Sequence, residues 1–551
     1  MPALSPRVMT SATPALAPAT GPACPAVQTT GQRVSRRLDL VLVAGLSALA
    51  LAVRLPYLWM VPRFTDETLE VLHSLAIVRD GLRPLTNYDT YYGALYNYVV
   101  ALALVLSGES PLAPRVVVLV AGILTVAATY LFGRALGCHM LPGPEGTVGS
   151  RLVGLLAAGL LATNGPHVVV NSHIAWSNCL TPLLTTLAFW ALLRSRTLPL
   201  AGLLLGLALQ THPLVAALLP GIALGVVIRD WRILRTPWPW LAVGAFLLGY
   251  ANMLAYNAET GFDSLRSAQR IQTEYGSDQQ AASGYAPTAG AMLLLLGRIL
   301  GGAVDQRDSV AAYLADPSVV FVTGLAAGGL VLLAARREFL PLLSVAGFLL
   351  ILPAANPKFQ TLLTGRYVMP VIPLLFACAA LTLVWLALLA RERWPASRRR
   401  PLLAALVMGM LLAALPLASL DRYYRRAFER TDTNERILRL VDQVDAARKP
   451  GEPILVDDSI GAELPDTGVT ELRGLEYLLT FDRVPYKLVR PSPGRLQDSF
   501  DGQTSVLAIL NARDATTAAG RLRVEPLDPR PPTESGRMFD FRLYRLSRDR
   551  A

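Results

Sequence analysis

The stretch LDLVLVAGLSALALAVRLPYLWMVPRFTDETLE, residues 38–70, runs from an apolar segment into two adjacent carboxylates, Asp66 and Glu67. The hydrocarbon core of a bilayer is roughly 30 Å thick, and a helix needs about 20 apolar residues to cross it. The segment at 38–58 meets that need, and similar runs recur near 93–107, 115–136, 151–170, 179–193, 198–211, 213–228, 239–257, 318–335, 339–354, 367–390 and 401–420. They are continuous rather than alternating, so they read as helices and not as barrel strands. Residues 288–303 are apolar but short, and fit a span, a re-entrant piece or an interfacial helix. After Leu420 the runs stop. The predicted fold is an all-α polytopic membrane domain at 33–420, of about 12–13 transmembrane helices, followed by a small α/β domain at 421–551.

Composition agrees. The 551 residues are 53% hydrophobic and 17% charged, against about a quarter charged in an ordinary soluble domain. The net charge of +11 does not point to nucleic acid, because the arginines cluster between apolar runs as topology signals. Cys24, Cys138, Cys179 and Cys378 match no disulfide framework and no metal spacing, and none lies in the tail. Residues 1–32, rich in Ala, Pro, Thr and Gly, read as a disordered leader. The apolar run behind them is too long for a signal peptide and reads as an uncleaved span.

Basic loops at Arg33/Arg36/Arg37, Arg194/Arg196, Arg229/Arg232/Arg235, Arg336/Arg337 and Arg391–Arg400 should face the cytoplasm. That sets a multi-pass protein of the inner membrane with its N-terminus cytoplasmic and its C-terminal domain extracytoplasmic, and requires an odd number of crossings. The twelve runs are one short or one too many, at 138–178 or at 288–303. Two long loops fall outside, 59–92 and 258–317, the second holding Tyr275, Asp278, Tyr285 and Asp305. The turns at His173, His212 and Lys358 share that face. In the tail, Asp421 to Arg448 reads as a charged helix, and 453–456, 505–510 and 539–546 as strands. Asp457-Asp458 reads as a strand-end turn rather than a cation site, for want of further oxygen ligands.

Asp66 and Glu67 stand directly after the first span, where an unpaired charge is costly without a task. Leu69, Leu72, Leu75, Ala76 and Ile77 follow at helical spacing, as in a helix lying at the membrane interface. Asp66 or Thr65 could cap that helix, which leaves Glu67 unexplained. Then comes Asn87-Tyr-Asp-Thr-Tyr-Tyr-Gly-Ala-Leu-Tyr-Asn-Tyr98, an aromatic belt that also suits a sugar or isoprenoid groove through Tyr91 and Tyr92. Asn171-Ser-His-Ile-Ala-Trp-Ser-Asn178 precedes another span. Thr364-Gly-Arg-Tyr-Val-Met-Pro-Val-Ile-Pro373 opens a further one, where Arg366 can snorkel or present a fork of donors to phosphate. Pro370 and Pro373 would kink its start.

This order of features resembles the GT-C glycosyltransferases of the protein O-mannosyltransferase and lipid A aminoarabinose transferase superfamily over about residues 35–425. The resemblance rests on Asp66-Glu67 after the first span, the interfacial helix, the aromatic second span, Gln210-Thr-His-Pro213 and the Arg-Tyr-x-x-Pro-x-x-Pro run from Arg366. It implies a general base at Asp66 with Glu67 in support, and a carrier-phosphate site at Arg366 and Tyr367. Tyr91, Tyr92, His173, Asn178 and His212 are the further substrate-binding candidates. Where relatives carry Lys or His before the second span, this chain has Tyr91-Tyr-Gly93, which leaves the donor sugar open. The implied activity is transfer of a monosaccharide from a polyprenyl-phosphate donor to a lipid, glycan or protein acceptor. The chemistry would be a single inverting displacement, with room for a divalent cation (Mg2+ or Mn2+) at the leaving phosphate. No Walker-type loop for a nucleotide sugar is present. The alternative is a transporter or flippase-like protein, but the chain shows neither a half-to-half repeat nor mid-span charges from 318 to 420.

Overall fold

The structure is a computed structural model. It describes residues 30–56, 58, 65–141, 146–277, 284–304, 310–359, 361–393, 400–428, 432–458, 471–490, 495–500, 503–512, 515, 522–527 and 541–548. Most of the leader and the positions Asp278 and Asp305 lie outside these residues.

The membrane domain is helical throughout. Its helices are α1 (Thr30–Arg54), α2 (Thr65–Arg79), α3 (Leu95–Ser107), α4 (Ala113–Met140), α5 (Gly146–Thr163), α6 (Gly165–Ser172), α7 (Thr181–Leu192), α8 (Leu198–Thr211) and α9 (Leu219–Arg229). They continue with α10 (Pro237–Gly249), α11 (Ala251–Thr260), α12 (Asp263–Ser277), α13 (Tyr285–Leu300), α14 (Val310–Leu314), α15 (Pro317–Ala335), α16 (Phe339–Ala355), α17 (Ile372–Arg393) and α18 (Arg400–Phe428). Every apolar run read from the sequence holds helix. Among the described residues four helices are long and apolar enough to cross a membrane, or six if each bent pair is one span.

The two bent pairs are α5–α6, at 66°, and α10–α11, at 63°. At the first break the Asn164 side chain accepts from the His167 N–H and Pro166 occupies the new first turn. Carbonyls freed by a break in an apolar setting need donors. Arg54, fully buried at the end of α1, supplies them: Nη1 donates to the Ala162 carbonyl at 2.7 Å and Nε to Ser172 Oγ at 3.0 Å. The sequence positions offered for an extra crossing, near 138–178 and 288–303, thus hold the short α6 and the 16-residue α13.

Helices α8 and α10 touch closely. A Cβ on Gly206 would strike the Phe246 carbonyl and the backbone of Gly249, the small-residue contact that lets membrane helices approach. This fixes the end of α8, where Gln210 sits.

The α/β domain follows α18. The final apolar helix runs unbroken to Phe428, beyond the Leu420 boundary read from the sequence, and α19 (Asp432–Ala447) completes the charged segment. Five strands, β1 (Ile454–Asp457), β2 (Tyr486–Val489), β3 (Ser505–Asn511), β4 (Leu522–Pro526) and β5 (Phe541–Arg548), form one sheet in the order β2-β1-β3-β5-β4. β1 pairs parallel with both β2 and β3, whereas β5 is antiparallel to β3 and β4. Helices α20 (Glu471–Phe481) and α21 (Arg495–Asp498) connect them. Asp457 closes β1 by accepting from the Asn511 N–H at 3.2 Å, and Asp458 pairs with Arg490 at 3.6 Å, so both acids serve the strand end.

The two parts meet at α2. Arg79, in its last turn, donates to the Thr480 and Phe481 carbonyls at the end of α20, at 2.6 and 2.8 Å, and to Glu109 at 2.8 Å. The Tyr477 hydroxyl donates to the Pro111 carbonyl at 2.6 Å.

Candidate active site

Helix α2 turns its polar side inward. Glu67, Thr68, Glu70, Val71, Ser74 and Leu75 are buried, while Leu69, Leu72 and Ile77 are partly exposed. That is the pattern of a helix with lipid outside and a polar site within. Asp66 and Glu67 occupy the first turn, where the helix dipole favours negative charge.

These two adjacent acids have opposite surroundings. Glu67 is fully buried and gripped by Arg115 at the start of α4, with Nε to Oε1 at 2.8 Å and Nη2 to Oε2 at 3.0 Å. Arg115 also donates to the Leu58 carbonyl at 2.8 Å. Two ions without exposure form a structural rivet. Asp66 is 38% exposed, and its Oδ2 accepts from Arg366 Nη1 at 2.8 Å.

Arg366 reaches Asp66 across 300 residues of sequence. It rides on a 3-10 turn, Leu363–Tyr367, followed by a second turn, Met369–Val371, before α17 begins. The prolines thus produce an irregular entrance. The guanidinium lies 4.4 Å from the Trp176 ring centroid and 5.1 Å from that of Tyr367, and Nη2 donates to the Tyr367 hydroxyl at 3.2 Å. Stacking of this kind suits arginine and not lysine. The His212 ring stands 5.4 Å from Tyr367. Its Nδ1 accepts from the Leu214 N–H at 3.2 Å, which places the ring proton on Nε2.

The tyrosine loop forms a second wall. A backbone bridge joins Thr86 to Gly93, and the Gly93 N–H donates to the Gln210 carbonyl at 2.8 Å. A Cβ at Gly93 would come within 2.9 Å of Gln210 Oε1 and 3.0 Å of Asn252 Nδ2, so a larger residue would make these side chains shift. Asn252 in turn donates to the Leu85 carbonyl at 2.7 Å. Tyr91 and Tyr92 meet edge to face at 4.4 Å, with Tyr88 6.3 Å from Tyr92. Burial raises the Tyr88 phenol well above its ordinary range, and Asp66 adds to the effect. The second long loop reaches this wall through Asp263, which accepts from Thr90 at 3.1 Å and Tyr256 at 2.8 Å. The Tyr285 hydroxyl is spent on the Leu350 carbonyl at 2.7 Å.

Of the residues singled out from the sequence, Asp66, Arg366, Tyr367 and His212 lie together, with Tyr91 and Tyr92 on the loop beside them. His173 is buried, with Nε2 donating to the Arg54 carbonyl at 2.6 Å. Asn178 accepts from Asn171 through its backbone carbonyl at 3.3 Å. Both contacts belong to the scaffold. Sequence reasoning missed Glu70, Arg115 and Trp176. Glu70 had a signal, being one helical turn from Asp66 on the same face. The other two are partners set by the fold.

The acids of α2 are largely committed to other partners. Asp66 is paired with Arg366 and Glu67 with Arg115. Burial, reinforced by Asp66, pushes the Glu70 carboxyl up to about 8. Among the described residues no three His, Cys, Asp or Glu side chains are grouped to hold a metal.

No protein-family model and no curated protein matches the sequence. The three-dimensional arrangement is similar to the GT-C fold: a helical membrane domain followed by a small α/β domain. Two solved structures similar to it are those of ArnT from Cupriavidus metallidurans, one bound to undecaprenyl phosphate and one in the apo state. Their TM-scores are 0.58 and 0.56, each at 15% identity, over 94% and 92% of this chain and 98% and 97% of theirs.

Proposed function

We propose that the protein is an inner-membrane glycosyltransferase acting on the extracytoplasmic face, which moves a monosaccharide from a polyprenyl phosphate to an acceptor hydroxyl with inversion. The observation that carries this reading is the 2.8 Å contact between Asp66 and Arg366. A carboxylate that could take a proton and a stacked guanidinium that could hold a phosphate meet at one point, between aromatic walls. The binding of undecaprenyl phosphate by ArnT of like fold supports a lipid-phosphate ligand.

In the proposed reaction the acceptor oxygen attacks the anomeric carbon while the bond from that carbon to the phosphate oxygen breaks. The electron pair leaves with the polyprenyl phosphate, and the acceptor proton passes to Asp66. Arg366 turns its fork to the phosphate as charge develops there. Its departure from Asp66 frees the carboxylate as a base, so donor binding and base activation are one event. Tyr367 and Trp176 hold the guanidinium plane during this exchange.

The test is reconstitution of purified protein in liposomes with a panel of polyprenyl-phosphate sugars, read by mass analysis of the lipid products. Mass analysis of envelope glycans, glycolipids and glycoproteins from cells lacking the protein identifies the acceptor. Absence of any altered product in both experiments would refute the reading.

A further inference from the structure

Glu70 belongs to none of the roles assigned above, yet like Glu67 it is a buried acid beside Asp66. It is 1% exposed. Its Oε2 accepts from the Ser177 N–H at 2.7 Å and its Oε1 from Ser177 Oγ at 3.2 Å. Its backbone carbonyl accepts from Asn97 Nδ2 at 2.9 Å. Ser177 directly follows Trp176, the ring on which Arg366 is stacked. The contacts close a loop: Asp66 to Arg366, Arg366 to Trp176, Trp176 along the chain to Ser177, and Ser177 to Glu70, one turn from Asp66 on α2.

We infer that Glu70 is a positioning residue of the transfer site, a buried carboxyl that ties the Trp176–Ser177 corner to α2 and so holds the platform beneath Arg366. This deepens the proposed transferase reading and rests on it. The tether must be neutral for a reason of charge. A second carboxylate one turn from Asp66 would repel it and would oppose an incoming phosphate. The groups that bear on Glu70 are Asp66 on its own helix, Asn87, Tyr88 and Tyr92 on the tyrosine loop, Tyr96 on α3, and Ser177 and Cys179 on the corner. Asp66 is the one carboxylate among them; the rest are hydroxyls, an amide and a thiol. Burial, the largest effect, and then Asp66 push the Glu70 carboxyl up to about 8, so the acid is protonated at neutral pH.

Two variants and two readouts test this. In infrared difference spectra of wild type against Glu70→Gln, the C=O stretch of a protonated acid should be present at pH 7 and vanish as pH rises through about 8. In the transfer assay, Glu70→Gln should stay within about threefold of wild type at pH 7, since one neutral hydrogen bond is exchanged for another. It should also lose the decline that wild type shows above pH 8, seen mainly in donor KM. Glu70→Ala, which releases Ser177, should lose about tenfold or more, in kcat as well as KM. A missing band at pH 7, an inactive but folded Glu70→Gln, an unchanged alkaline limb in that variant, or wild-type activity in Glu70→Ala would each overturn the inference. Should no sugar be transferred by the wild type, the transferase reading fails, while the infrared band still decides the protonation state of Glu70.

Discussion

Asp66→Asn separates the two halves of the proposed site. In wild type the carboxylate and Arg366 are 2.8 Å apart, with side chains 38% and 14% exposed. Two unit charges at that distance attract by about 1.5 kcal/mol in bulk water. Ordering of both side chains and salt bring pairs open to solvent down to about 0.2–1 kcal/mol. Removing the charge therefore releases Arg366 for a phosphate at little cost, and undecaprenyl phosphate should bind between equally well and about fivefold more tightly. The chemical step behaves oppositely. Asparagine cannot accept the acceptor proton, and loss of a positioned base lowers the rate by about 10²- to 10⁴-fold. The amide keeps the size of the side chain and its place in the first turn, so folding should be unaffected. Binding of undecaprenyl phosphate and single-turnover transfer should be measured on the same purified samples, matched for thermal stability. Full transfer by Asp66→Asn would refute the base assignment. Loss of phosphate binding along with activity would refute the idea that Asp66 restrains Arg366.

Three further outcomes are expected. Glu67→Gln leaves the Arg115 charge buried without its counter-ion, and should lower stability by about 3–5 kcal/mol, seen as a drop in the unfolding temperature in detergent; wild-type stability would show that the pair is not a rivet. Arg366→Lys keeps the charge but loses the stack on Trp176 and the bond to Tyr367, and should weaken donor binding by about ten- to a hundredfold, the range of a hydrogen bond to a charged group; unchanged binding would place the phosphate elsewhere. In a cysteine-free background, Lys449→Cys should react with an impermeant thiol reagent in intact cells and Ser195→Cys should not, and the reverse pattern would move Asp66 to the cytoplasm.

The membrane helices were legible because lipid imposes a simple rule, a continuous apolar run, and each such run holds helix, in two cases broken by a bend. The breaks were less legible. The bend at Tyr250 is marked only by Gly249 and Asn252 within a long apolar run, and the one at Asn164 is stabilised by Arg54, 108 residues from its carbonyl partner at Ala162. In the tail, β1, β3 and β5 were read from sequence because they are the three central strands and are buried over most of their length. The edge strands β2 and β4 alternate weakly and face solvent over much of their length, so they resemble loop. At the site, Asp66 and Arg366 were legible as residue types out of place at a membrane surface. Their partners were not, because Arg115 and Trp176 look ordinary until the fold sets them against Glu67 and Arg366. The interfacial helix was expected from its leucines, and its buried acids show that the informative face was the other one.

The contacts on α2 also decide which side of the site must move when a donor binds. Near its start the helix is held by the Glu67–Arg115 fork, which has no exposure to solvent. At its end Arg79 is bound to three oxygens, two of them carbonyls of the α/β domain. That position is favourable twice over, since Arg79 sits at the negative end of its own helix and of α20. A shift of α2 would break a buried ion pair and the domain contact together. Arg366, by contrast, is a long side chain on a 3-10 turn ahead of α17, held by stacking and by one partly exposed ion pair. The cheaper motion by several kcal/mol is therefore that of the guanidinium. The fold keeps Asp66 fixed and lets Arg366 exchange partners, which is the division of labour the proposed transfer from a lipid phosphate would require.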